Sequence, residues 1–161
     1  KKFPRTHTFI NDFPVIVLKT FSKAYGLAGL RVGYGIGDAP LISFLERTKQ
    51  PFSVNMIALN AARAALRDQK HLKKVLANNR KGKRFFSAAL KEISLSYVST
   101  ETNFVLIHVG PNAEAITKRL FEEKILVRWM GPYGLPEYIR VTIGRMDENI
   151  QLIETLKRII Q

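Results

Sequence analysis

Apolar positions along the chain change period several times, and each change marks an element. Phe13 to Thr20 (FPVIVLKT) is a short β-branched run of the kind that forms a buried strand. Arg31 to Ile36 (RVGYGI) reads as a second strand beyond a glycine-rich connection. Asp38-Ala39-Pro40 opens a helix, with Asp38 as N-cap and Pro40 in the first turn, running to about Lys49. Pro51 interrupts it, and Ser53-Val54-Asn55 leads into an alanine-rich helix ending near Arg67. From Gln69 to Ile93 the period is helical again. Leu72, Val75, Leu76, Phe86, Leu90 and Ile93 gather on one side and most cations on the other, with Lys83 as an exception.

Beyond Ser94 the elements shorten. Leu95 to Val98 is a weak strand and Asn103 to Val109 (NFVLIHV) a stronger one. Gly110-Pro111-Asn112 stops it, with Asn112 as cap for a helix from Ala113 to Glu123. Ile125 to Trp129 is a further strand, Gly131-Pro132-Tyr133-Gly134 a turn, and Tyr138 to Ile143 (YIRVTI) the last strand. Asp147 and Glu148 suit the first turn of a final helix, where carboxylates meet the positive end of the dipole. The order β-β-α-β-β-α makes this part a self-contained α/β unit. The first part has only two strands, a poor sheet by itself, so it is expected to continue a sheet whose other strands precede residue 1.

Composition adds little to this picture except through charge. An apolar share of 46% over 161 residues supports a packed core, and the lack of cysteine excludes disulfides and thiolate-bound metal. No apolar run approaches the ~20 residues of a membrane span, and the N-terminus has no signal core; a cytoplasmic protein without membrane partners is the expectation. Lys and Arg total 26 against 13 acids. From Arg63 to Lys91 there are ten Lys or Arg and one acid, Asp68. A solvated helix face explains that excess without further function. A basic nucleic-acid-binding domain is the rival reading, but the segment lacks interleaved aromatics and no helix-turn-helix or zinc pattern occurs. His7, His71 and His108 have no ligand spacing, so no metal is expected.

The chemistry lies in TFSKAYGLAGLRVGYGIG, residues 20–37. A lysine amine attacks carbonyls or holds them as Schiff bases. Thr20 and Ser22 place hydroxyls beside Lys23, and Gly26 and Gly29 allow close backbone approach. Arg31 offers a planar fork for a phosphate dianion. Together these are what pyridoxal 5′-phosphate requires. A glycine-rich loop with solvent-facing cations accounts for the same residues taken singly.

The ordered string resembles the cofactor-lysine segment of fold-type I, class I/II aminotransferases. The resemblance extends through Pro51-Phe52-Ser53-Val54-Asn55, Thr102-Asn103-Phe104 and Ile139-Arg140-Val141-Thr142-Ile143-Gly144 to cover essentially the whole chain. Among the subfamilies it is most similar to histidinol-phosphate aminotransferase, through AYGLAGLRVGY, ETNFV and ILVR before the IRVTIG strand. It implies an α/β chain forming the C-terminal half of a pyridoxal-phosphate-dependent transferase fold. Residues 1–68 would end the large cofactor-binding domain with its mixed sheet, 69–93 would be a connecting helix, and 94–161 a small C-terminal α/β domain.

By the same resemblance, Lys23 carries the cofactor and later moves a proton as general base and acid, while Ser22, Arg31 and Thr20 hold its phosphate. Arg140 matches the arginine that clamps a substrate carboxylate in most relatives. In the histidinol-phosphate subfamily it would join Arg128 on the substrate phosphate, with Asn103 positioning substrate or backbone. Read without the resemblance, Arg128 could be the solvent side of a strand and Asn103 a strand-edge turn former. The implied reaction exchanges an amino group between L-histidinol phosphate and 2-oxoglutarate in histidine biosynthesis, in a homodimer. An aromatic or aspartate aminotransferase, or a threonine-phosphate decarboxylase-like enzyme, is the alternative within the superfamily. The residues completing the cofactor site are expected upstream, so residues 1–161 alone are expected to be inactive.

Overall fold

The computed structural model describes residues 5–160, and the chain divides into two compact units between Lys73 and Lys74.

The first unit begins with a 3-10 helix, Thr6–Asn11. Strand β1 (Val17–Thr20) pairs antiparallel with β2 (Gly33–Ile36), Val17 opposite Ile36 and Thr20 opposite Gly33. Helix α1 (Ala39–Thr48) is capped by Asp38, whose Oδ1 accepts from Leu41 N at 3.2 Å, and Pro40 sits in its first turn. Helix α2 (Met56–Arg67) is capped by Asn55 through Ala58 N at 2.8 Å. Phe21, Val32, Ala58 and Ala62 form a small core, with Tyr25, Leu27, Leu30 and Val54 packed on it. The expected burial of the first strand is not found: Leu18 is 78% exposed. The hairpin has two strands only, and among the described residues neither face of β1 is covered as a central strand would be.

A single 24-residue helix, α3 (Gln69–Glu92), crosses the division. Asp68, the lone acid of the basic stretch, starts it by accepting from His71 N at 2.9 Å. The second unit then follows the expected order: β3 (Tyr97–Val98), β4 (Phe104–His108), α4 (Ala113–Glu122), β5 (Arg128–Trp129), β6 (Tyr138–Thr142) and α5 (Met146–Ile160). Its strands form one antiparallel sheet in the order β3-β4-β6-β5. Period-two alternation sends Val105, Ile107, Ile139 and Val141 to one face. There they join Phe86 and Leu90 of α3, Ile116 and Leu120 of α4, and Leu152 and Leu156 of α5 in one core. Lys83, out of phase with the other cations, is half-buried and reaches Thr100 O at 3.3 Å and Glu101 Oε2 at 3.2 Å.

Two local expectations fail for identifiable reasons. The strand expected over Ile125–Trp129 shortens to two residues because Ile125 is used to close α4. Its N–H reaches Leu120 O at 2.9 Å and that of Lys124, at φ +64°, reaches Phe121 O at 3.0 Å, a Schellman closure. Helix α3 ends the same way, with Ser94 at φ +57° and Leu95 N bonded to Leu90 O at 2.9 Å. Asn112 does not cap α4 with its side chain; at φ −88°, ψ 14° it lies in a turn conformation rather than the extended one of a typical N-cap.

Phe86 is fully buried at the centre of the second unit. Phe86→Ala should cost roughly 3–5 kcal/mol, read by chemical denaturation. Glu123 and Arg158 join the ends of α4 and α5 at 3.0 Å. The hydrogen bond and charge of Arg158 hold the Glu123 carboxyl below its ordinary range. Stability from this pair is therefore present above the unfolded carboxyl pKa and lost as pH falls through the lower folded value. Wild type should exceed Glu123→Gln slightly in stability at neutral pH, and the two should converge in acid.

Candidate active site

Ser22 and Thr20 emerge from the end of β1 as a hydrogen-bonded pair. Thr20 Oγ1 donates to Ser22 Oγ at 2.8 Å and accepts from Ser22 N at 3.0 Å. The Ser22 hydroxyl, having accepted, keeps its own proton to donate outward. The chain then turns at Lys23, whose carbonyl accepts from Gly26 N at 2.9 Å, and continues through a 3-10 turn, Ala28–Leu30. Phe21 N bonded to Val32 O at 3.2 Å closes the loop.

Arg31 ends that 3-10 turn in the left-handed conformation, φ 51°, ψ 49°. This geometry costs a non-glycine residue on the order of 1–2 kcal/mol and is held here by the paired strands. Its Nη1 donates to Ala28 O at 2.7 Å, leaving the other guanidinium donors available. Thr20, Ser22 and Arg31 line one open concavity of about 390 Å³. Lys23 is exposed on the adjoining turn and is not among the residues lining it.

The second unit presents another cationic site on the sheet face opposite its core. Val98, Leu106, Arg140 and Arg128 face one another in register, one from each strand. Arg128 and Arg140 are therefore direct cross-strand neighbours, where like charges repel. Neither forms an ion pair with any described residue. Arg140 is half-buried, its guanidinium carbon 5.2 Å from the centre of the Phe104 ring in a cation–π contact. Arg128 Nη1 donates to the Tyr133 hydroxyl at 3.0 Å. His108, on the same face, is engaged by Glu137 at 3.0 Å. Among the described residues no group of three or more His, Asp or Glu side chains could hold a metal.

The profile of the aminotransferase class I and II family matches residues 2–156. The chain belongs to that family. It is 43% identical to histidinol-phosphate aminotransferase of Akkermansia muciniphila, over 98% of this chain and 43% of that relative. It is 39% identical to the enzyme of the same name from Brevibacillus brevis, over 99% of this chain and 44% of the relative. The crystal structure of histidinol-phosphate aminotransferase from Sinorhizobium meliloti in complex with pyridoxal-5′-phosphate superposes with a TM-score of 0.83. That match has 32% identity and covers 92% of this chain and 42% of that one. The chain thus spans less than half the length of these relatives.

In this class I/II chain the structure brings the residues singled out from sequence into two groups. Thr20, Ser22 and Arg31 share a concavity with Lys23 beside it, and Arg128 faces Arg140. Asn103 lies one residue before β4, exposed, its carbonyl accepting from Ile143 N at 2.9 Å. No described contact joins its side chain to the arginine pair. Tyr133 and Phe104 were legible only as a turn residue and a strand residue, yet both touch these arginines. Cross-strand pairing across a turn of uncertain length carries no signal in a single sequence. Among the described residues no helix is long and apolar enough to cross a membrane.

A like-charge pair with no acid beside it should weaken the fold. Arg128→Thr is expected to raise stability by roughly 0.2–1 kcal/mol, measured by thermal or chemical unfolding.

Proposed function

We propose that this chain carries the cofactor lysine, the cofactor-phosphate anchor and the substrate-anion site of a pyridoxal-phosphate-dependent histidinol-phosphate aminotransferase. In that reading residues 1–68 belong to the large cofactor domain, 69–93 to the connecting helix and 94–161 to the small domain. The intact protein acts as a cytoplasmic homodimer on an amino donor and 2-oxoglutarate. The names of the relatives support the substrate. The cross-strand register of Arg128 and Arg140 is the observation that carries it, because two neighbouring cations with no ion-pair partner among the described residues suit a phosphate dianion better than a single carboxylate.

The donor set in the first unit fits the cofactor: two hydroxyls and a guanidinium around one concavity suit a phosphate monoester, and an exposed amine lies beside them. Pyridoxal 5′-phosphate, when bound, supplies an aldehyde that captures amines and a ring that withdraws electrons from them. Ser22 donates its free hydroxyl proton, and Arg31 its remaining N–H groups, to the phosphate, with Thr20 orienting Ser22. Lys23 Nζ is the amine that would hold the cofactor through its aldehyde, and when free it would serve as the base and acid that moves the proton of substrate Cα. Arg128 and Arg140 fix the phosphate end of the donor and so restrict its orientation. Asn103 positions substrate or backbone at the start of β4.

Borohydride reduction of the cofactor-loaded protein, followed by peptide mass mapping, should place the cofactor on Lys23. Lys23→Ala should remove both the label and the turnover; a label on another lysine would defeat the assignment. Turnover of histidinol phosphate should exceed that of phenylalanine or aspartate by orders of magnitude. The reverse preference would favour an aromatic or aspartate aminotransferase, and carbon dioxide release from threonine phosphate a decarboxylase.

A further inference from the structure

Arg128 sits on a two-residue strand at the sheet edge, directly opposite another arginine. Repulsion alone would let its long side chain swing away from Arg140 into solvent. What holds it is the Tyr133 hydroxyl, 3.0 Å from Nη1. We propose that Tyr133 is the third member of the anion site: it positions Arg128 and donates its own hydroxyl proton to the same phosphate group. This rests on the assignment of Arg128 and Arg140 to the substrate phosphate.

The chemistry favours a phenol at this place. A carboxylate would hold Arg128 equally well, but it would neutralise the cation and repel the incoming dianion. A phenol oxygen accepts from the guanidinium and still carries a hydrogen. Among the described residues no acceptor takes that hydrogen. The acid four residues on, Glu137, is engaged by His108 instead. Tyr133 is 60% exposed, so a ligand can reach it.

The segment that carries Tyr133 is firmly built. Met130 N bonds to Tyr138 O at 3.0 Å, tying the loop to β6. Tyr133 N and Leu135 N both reach Met130 O, at 3.0 and 3.2 Å. Gly134, at φ +76°, closes the 3-10 turn Gly131–Tyr133. Any side chain at Gly131 would run into the Trp129 ring, and Trp129 Nε1 is bonded to Pro136 O at 2.8 Å. The phenol is therefore presented from a constrained turn.

The test uses the intact holoenzyme and Tyr133→Phe, which keeps the ring and removes only the hydroxyl. A lost hydrogen bond to a charged group should raise KM for histidinol phosphate about tenfold, with a much smaller change in kcat. The inhibition constant for inorganic phosphate, competing with the donor, should rise by a similar factor. With an amino donor lacking the phosphate the effect should be far smaller. Equal loss with both donors, or no change in either constant, would overturn the proposal. Arg128→Ala and Arg140→Ala run alongside. If these weaken phosphate inhibition and Tyr133→Phe does not, the tyrosine proposal fails alone. If neither arginine variant does, the anion-site assignment fails, and the tyrosine proposal with it.

Discussion

Both arginines of the second unit stand where they do because of a packing constraint on β6. Ile139 and Val141 are 0% and 4% exposed in the core shared with α3, α4 and α5. A strand with period two must then turn the residue between them, Arg140, to the other face. Slipping the strand by one residue would bury the guanidinium and expose two aliphatic side chains, at a cost of several kcal/mol. The register with β5 carries the constraint to Arg128. Apolar burial on one side of the sheet thus fixes the charge on the other.

The first unit builds its cationic site by a different route. There the backbone is the positioning device: paired strands close a loop of 12 residues, Phe21–Val32, and hold Arg31 left-handed at its end. The hydroxyl of Thr20 is committed to Ser22, which leaves Ser22 as an oriented donor. The cationic sites of the two units are therefore presented by unlike means, one by loop closure and one by core packing.

Much of this was legible in the order of residues. The helix capped by Asp38 was readable because the cap precedes a clear change of period, and the structure bears out its hydrogen bond. The β-β-α-β-β-α order was readable from alternating apolar positions. Exposure of β1 was not, since a run of Val, Ile and Leu looks the same whether or not neighbours cover it. Nor were the helix ends at Ser94 and Lys124, where residues other than glycine take positive φ. The motif around Lys23 pointed to the family only as an ordered string. The contact of Tyr133 with Arg128 was the largest omission, because it depends on which strand residue the turn folds back upon.

The arginine pair also bears on how such a chain would respond to selection. A library sorted for heat resistance alone, with no ligand present, would reward loss of the Arg128 guanidinium, because the unliganded fold carries the repulsion. On the proposed anion site, a dianion present during the sort would reverse the sign, by turning the repulsion into a shared attraction. The choice of buffer, phosphate or otherwise, would then decide which lineage survives.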